Sequence, residues 1–265
     1  MAGFLIVNPR SGDGRGTDAH QLVAAAARRG VATHVLEPAD DVASVARETA
    51  SDVLGIAGGD GSLAAVAAVA LERDIPFVCV PFGTRNHFAR DLGLDPDDPA
   101  AALGAFGGPE RRIDVGRAGD RLFLNNVALG LYARLVHGRE RVERARQGLS
   151  TLRALALVLR RRAPVPLRVD GRPLVARVVV VANNAYRVDA FALGERERLD
   201  EGKLHLYSSR GLLPGRWAER SGERFVLDSD VRTLSAAVDG EPAELGVPVS
   251  FEVESRALRV LVPEC

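Results

Sequence analysis

Lysine is nearly missing. Of the 35 Lys and Arg residues, Lys203 is the sole lysine and the others are arginine. A Walker-type phosphate loop needs Gly-Lys-Ser or Gly-Lys-Thr, so that class of nucleotide site is excluded. The arginine excess itself reads as genomic composition bias. Cysteine is just as scarce: Cys79 lies inside the apolar run "FVCVP", and Cys265 is the last residue. Two cysteines so placed build neither a disulfide framework nor a zinc centre, which fits a reducing cytoplasm. Formal net charge is +0, so no global field draws the chain to nucleic acid. No apolar run reaches the ~18 residues of a membrane-spanning helix. "MAGFLIVNPR" holds too short an apolar stretch for a secretory signal.

What is present suits two modest domains. The chain has 265 residues, 46% hydrophobic and 26% charged, enough for a real core in each. Short apolar runs and helical patterns alternate at the start. "FLIV" (4–7), "VATHVL" (31–36), "VLGIA" (53–57) and "FVCV" (77–80) read as strands. Residues 17–30, 40–50 and 62–74 read as helices, the last capped by Ser62. This predicts an α/β domain over 1–110 with a doubly wound parallel sheet. After "GGPE" the pattern changes. Residues 111–129 read as a hairpin turning near Gly119-Asp120, and 134–162 as an arginine-studded helical stretch. Seven short β-like runs follow, from "PLRVDG" to "ALRVLVP". A C-terminal, mainly antiparallel β domain is therefore expected over 111–265.

Three strand-to-helix corners stand out. The first is Asn8-Pro9-Arg10-Ser11-Gly12-Asp13-Gly14-Arg15-Gly16, the second Gly58-Gly59-Asp60-Gly61-Ser62, the third Pro81-Phe82-Gly83-Thr84-Arg85-Asn86. Glycines let consecutive N–H groups converge on one anion, and the helix that follows adds positive potential. Ser11, Ser62 and Thr84 offer hydroxyl donors, and Arg10 or Arg15 could supply the charge a Walker lysine would. One such loop is a turn. Three at one edge of a parallel sheet point to a nucleotide polyphosphate site. Asp60 repels phosphate unless a cation such as Mg²⁺ lies between them; otherwise it is a turn aspartate bonded to its own backbone.

"NPRSG", "GGDGS" and "PFGTRNHFARDLGL" resemble the three nucleotide-site motifs of the diacylglycerol kinase catalytic-domain family. That family includes bacterial lipid kinases and sphingosine kinases and is distantly related to NAD kinases. "IDVG" (113–116), "FLNNVALGLYA" (123–133) and "VDGEP" (238–242) continue the resemblance along the chain. It implies ATP against Asn8, Arg10, Ser11, Gly12, Arg15, the Gly58-Gly59-Asp60-Gly61-Ser62 loop, Thr84 and Asn86, with Asp60 and Asp239 in a Mg²⁺ network. It implies Glu241 as general base, with Asp239 and Asp60 as its catalytic partners. "RLDEGKLHLY" (198–207) resembles a structural Mg²⁺ loop, with Glu201 at the aspartate position and the carbonyls of Arg198 and Lys203 as further ligands. Asp200 would substitute if the register shifts by one.

The resemblance has gaps. Arg85 and His87 replace a small motif residue and an aspartate, and Tyr186, Arg187 and Asp189 stand where a glycine-rich turn is usual. The expected reaction is phosphoryl transfer from ATP to a lipid hydroxyl, with diacylglycerol or a related long-chain alcohol as acceptor. The rival readings are an NAD kinase-like enzyme with a soluble acceptor and a non-catalytic nucleotide-binding regulator. The protein is expected in the cytoplasm, meeting membrane only at its surface. Arg160-Arg161-Arg162 is the segment expected to touch headgroups. A homodimer through a sheet edge is compatible with this reading, and no residue pattern demonstrates one.

Overall fold

The computed structural model describes residues 2–11, 18–83, 86–130, 166–187, 195–210 and 217–264. The chain divides into two compact units. Unit 1 comprises Met1–Val115, Glu197–Asp200 and Ser255–Cys265, and unit 2 comprises Gly116–Arg196 and Glu201–Glu254. The boundary expected at 110 coincides with the start of a strand that runs on to Ala118. The expected second segment returns its last residues to unit 1.

Unit 1 is built on four parallel strands: β1 (Gly3–Val7), β2 (Ala32–Val35), β3 (Val53–Gly58) and β4 (Phe77–Pro81). Their order is β2-β1-β3-β4. β3 and β4 are buried at every residue, as strands covered on both faces must be, and so they read as continuous apolar runs. The helices are α1 (Ala19–Arg28), α2 (Val42–Glu48), α3 (Asp60–Glu72), α4 (His87–Asp91) and α5 (Pro99–Ala102). Asp18, Asp41 and Asp98 cap α1, α2 and α5 by accepting backbone N–H bonds from His20, Ser44 and Ala101. Gly30, at φ 70, turns the chain out of α1. α3 differs from expectation. It starts at Asp60 rather than Ser62, its N-cap is Gly59, and no side chain caps it.

The strand order matters for function. From β1 the chain moves one way to β2, then returns to lay β3 on the other side of β1. The loops leaving β1 and β3 therefore diverge at a topological switch point, where open α/β sheets bind ligands. Those loops carry the first two glycine-rich corners.

Unit 2 is antiparallel. β5 (Glu110–Ala118) turns at Gly119-Asp120 into β6 (Arg121–Phe123), as the sequence predicts. The strands that follow are β7 (Asn126–Gly130), β8 (Leu167–Val169), β9 (Arg172–Leu174), β10 (Val178–Asn183), β11 (Leu204–Ser209) and β12 (Ala218–Gly222). They continue with β13 (Arg224–Ser229), β14 (Thr233–Val238), β15 (Glu241–Gly246) and β16 (Val249–Leu261). Six of them form one sheet in the order β12-β11-β10-β7-β14-β15. The unit's core gathers Phe123, Val127, Leu206, Phe225, Leu227 and Phe251. Two tight hairpins turn on Asp-Gly pairs, at 170–171 and 239–240, with φ above zero at both residues of each. That is the type I′ geometry, which Asp-Gly favours.

β16 joins two runs that read as separate strands, "VSFEVE" and "ALRVLVP". Arg256, at φ 49, marks the interruption between them. Its first residues pair with β13, and Val260 and Leu261 pair parallel with β4.

Candidate active site

In unit 1 the three corners are tied to one another. Asn8, just past β1, donates its side-chain Nδ2 to Ser62 Oγ in α3 at 2.9 Å. Its Oδ1 accepts the Arg10 N–H at 3.1 Å. The loop after β4 is closed locally: Asn86 Oδ1 accepts the Gly83 N–H at 2.9 Å, and its Nδ2 donates to Gly83 O at 2.7 Å. Asn86 is buried and left-handed, at φ 51. Gly59 and Gly83 lie backbone against backbone, so a Cβ on Gly83 would stand 2.6 Å from Gly59 Cα. A Cβ on Gly59 meets nothing nearer than Ser11 Oγ at 3.8 Å.

Asp60 opens α3. Its Oδ1 accepts the Phe88 N–H at 3.3 Å, supplying α4 with the cap that Asn86 does not give. The aspartate thus bonds a distant helix start. Behind it, burial pushes the Cys79 thiol well up, and the Asp60 charge adds to that. The N-terminus of α3 presents backbone N–H groups with no side-chain cap, beside the hydroxyls of Ser62 and Ser11. This suits an anion. Gly12, Arg15, Thr84 and Arg85 lie outside the described residues.

In unit 2, Asp239 opens the two-residue turn between β14 and β15. It is buried, and its φ is 47. Oδ2 accepts the Leu124 N–H at 2.8 Å, and Oδ1 accepts those of Asn125 at 2.8 Å and Asn126 at 3.0 Å. The carboxylate is therefore seated in a nest of three consecutive amides. Glu241 follows at the exposed start of β15, paired across the hairpin with Val238.

Residues 2–118 match the family model for the diacylglycerol kinase catalytic domain. A diacylglycerol kinase of Mycobacterium tuberculosis is 31% identical over 201 residues, 67% of this chain and 62% of that protein. The chain belongs to the diacylglycerol kinase catalytic-domain family. A protein of Pseudomonas fluorescens named "Probable lipid kinase YegS-like" is 46% identical over 75 residues, 28% of this chain and 25% of that one. The matches thus span less than two thirds of either relative. A diacylglycerol kinase structure from Bacillus anthracis shares the fold, with a TM-score of 0.73 at 20% identity over 98% of this chain and 96% of that one.

The loop that resembles a structural Mg²⁺ site is bonded to protein groups. Glu201 Oε2 accepts the Ala185 N–H at 2.9 Å and faces His205 Nε2 at 3.1 Å. The Lys203 carbonyl accepts the Asn184 N–H at 3.0 Å. Protein groups thus already bond to Glu201 Oε2 and to the Lys203 carbonyl, two of the groups that a cation would use. His205 is itself held on its other side by Glu219 Oε1 at 2.7 Å. Asp200, the substitute, pairs with Arg198 and Arg256, and Arg198 holds its carboxyl below the usual range. Among the described residues no three His, Cys, Asp or Glu side chains gather as a metal site. A Mg²⁺ shared with phosphates needs only one or two carboxylates, and Asp60 fits that demand.

His87 is exposed at the start of α4, and Tyr186 Oη accepts a bond from Asn126 Nδ2 at 3.2 Å. Asp189 and Arg160-Arg161-Arg162 lie outside the described residues. Among the described residues no helix is long and apolar enough to cross a membrane. Sequence reasoning missed the buried polar layer of Asn125, Asn183, Asn184, Arg196 and His205. One signal was available: "NN" ends or begins an apolar strand run twice, at 125–126 and 183–184.

Proposed function

We propose that this chain is an ATP-Mg²⁺-dependent lipid kinase that transfers the γ-phosphate to a lipid hydroxyl, diacylglycerol or a related long-chain alcohol. One observation carries the reading: in a chain of this family, the corners after β1, β3 and β4 are knitted together at the switch point around an uncapped helix N-terminus. The polyphosphate would lie on the amides of the 58–62 corner, with Asn8, Arg10, Ser11, Gly12, Arg15, Thr84 and Asn86 around it. Mg²⁺, when bound, would neutralise charge on the phosphate oxygens, with Asp60 as its protein carboxylate.

The chain's own part is positioning and proton transfer. The lipid hydroxyl attacks the γ-phosphorus, the bond to the β-phosphate oxygen breaks, and ADP leaves. Glu241 takes the hydroxyl proton. Asp239 acts here by seating the turn rather than as a metal ligand. The amides, hydroxyls and arginine of the corners carry the charge that develops on the transferring group.

The test is transfer of labelled γ-phosphate from ATP-Mg²⁺ to diacylglycerol, monoacylglycerol, sphingosine, phosphatidylglycerol and NAD, by wild type and by Glu241→Gln. Label in one lipid, lowered at least ~100-fold in the variant, is the expected result. Label in NADP would replace the lipid reading by the NAD kinase-like one. ATP bound without transfer to any acceptor would leave a nucleotide-binding regulator.

A further inference from the structure

The segment 124–126, which leads from β6 into the first residue of β7, is gripped from two sides. Its three amides donate to Asp239. Two of its acceptors meet a buried cation, since Arg196 is 4% exposed. Arg196 Nη1 donates to Leu124 O at 2.7 Å and to Asn183 O at 3.0 Å, and Nη2 donates to Asn125 Oδ1 at 2.7 Å. The guanidinium also lies over the Tyr186 ring, 5.4 Å from its centre. Asn183 closes the same knot, donating Nδ2 to Leu124 O at 3.2 Å and its N–H to Asn125 O at 3.0 Å.

An arginine suits this place for a geometric reason. Its planar fork offers several donors at fixed angles, so one side chain satisfies three acceptors at once, two before β7 and one at the end of β10. Lysine offers a point charge on a flexible stem and cannot reproduce that spread. The segment's amides are thus turned to an anion, Leu124 O and Asn125 Oδ1 to a cation, and the carbonyls of Asn125 and Asn126 to backbone N–H groups, so its position is over-determined. Asp239 is the first residue of the turn and lies two residues before Glu241.

We propose that Arg196 is a positioning residue for Glu241. It sets the 124–126 segment, the segment's amides set the Asp239 carboxylate, and Asp239 sets the turn that presents Glu241. The catalytic half of this proposal rests on the reading of Glu241 as the base. The geometric half stands on the hydrogen bonds alone.

The experiment compares wild type, Arg196→Gln and Arg196→Lys in three measurements. These are phosphate transfer from ATP to dioctanoylglycerol in mixed micelles, equilibrium binding of a fluorescent ATP analogue, and amide hydrogen exchange. In Arg196→Gln, kcat falls 10- to 100-fold while KM for ATP and analogue affinity stay within twofold. Arg196→Lys recovers part of the loss. Exchange quickens at least tenfold at Leu124, Asn125, Asn126 and Asp239, and stays as in wild type along β11. A folded Arg196→Gln with kcat within twofold overturns the positioning role, and so does a loss of protection spread evenly over unit 2. If wild type itself transfers no phosphate to the lipid, the kinase reading fails. Exchange then decides the proposal alone: selective quickening at those four amides keeps Arg196 as the residue that seats the turn, and any other pattern ends it.

Discussion

Gly59 and Gly83 read alike in the sequence and differ in what they exclude. At Gly83 a methyl group would drive into the Gly59 backbone, so Gly83→Ala should cost about 1–3 kcal/mol through overpacking. Gly59 has room for a methyl, and its φ of −86 suits any residue. Gly59→Ala should therefore cost at most about 1 kcal/mol, the difference between glycine and alanine at an N-cap. If a phosphate chain lies on that corner, the same variant should lose ATP affinity at least tenfold. Denaturant unfolding and nucleotide titration of the two variants read both effects. Unchanged affinity in Gly59→Ala would mean that the corner is bare only to let the loops meet. The buried thiol makes a second residue-scale prediction. In a Cys265→Ser protein, Cys79 should resist thiol reagents until the chain unfolds, because burial holds it protonated. Tyr207 makes a third. Burial pushes its hydroxyl up to about 12, while the unfolded value is near 10. Its contribution to stability is complete below pH ~10 and is lost as pH rises towards ~12. Absorbance at 295 nm should show one late-titrating tyrosine, missing in Tyr207→Phe.

At the scale of elements, the loop entering β11 is tied by contacts within the protein. Glu201, His205 and Glu219 stand in line, and the Asn184 amide holds the Lys203 carbonyl. The nucleotide-free protein should melt at the same temperature in chelator and in millimolar Mg²⁺. His205→Ala should lower stability by about 1–3 kcal/mol, because two carboxylates lose a partner. A midpoint that drops on chelation in wild type, and no longer does so in Glu201→Gln, would return the loop to a metal. The same loop shows what a sequence can and cannot disclose. The parallel strands of unit 1 were legible because burial on both faces leaves unbroken apolar runs. The turn at Gly119-Asp120 was legible because a glycine-aspartate pair between two apolar runs marks a hairpin. The start of α3 was misread by two residues, because serine is a common cap and a glycine cap leaves no side-chain trace. β12, reading AERSG, was missed because it is mostly exposed and lacks an apolar face. The Arg196 knot was illegible for a deeper reason. Its partners are carbonyls and amides far along the chain, and only the folded register brings them together.

At the scale of the molecule, neither unit is a continuous stretch of chain. β4 receives Val260 and Leu261 along its side, and Leu258, Val260 and Leu261 are buried. A fragment ending at 110 lacks that strand. It should show no cooperative melting and should associate through the exposed β4 edge, whereas the whole chain melts cooperatively. Light scattering and calorimetry distinguish these outcomes. The returning strand also puts protein synthesis on a clock. Ribosomes add ~5–20 residues per second, so residues 116–254 take roughly seven to thirty seconds to emerge after the first unit's sheet is otherwise ready. Through that interval the nascent chain carries an open, fully apolar strand edge. The cell must keep that edge from finding the wrong neighbour until the right one has been translated.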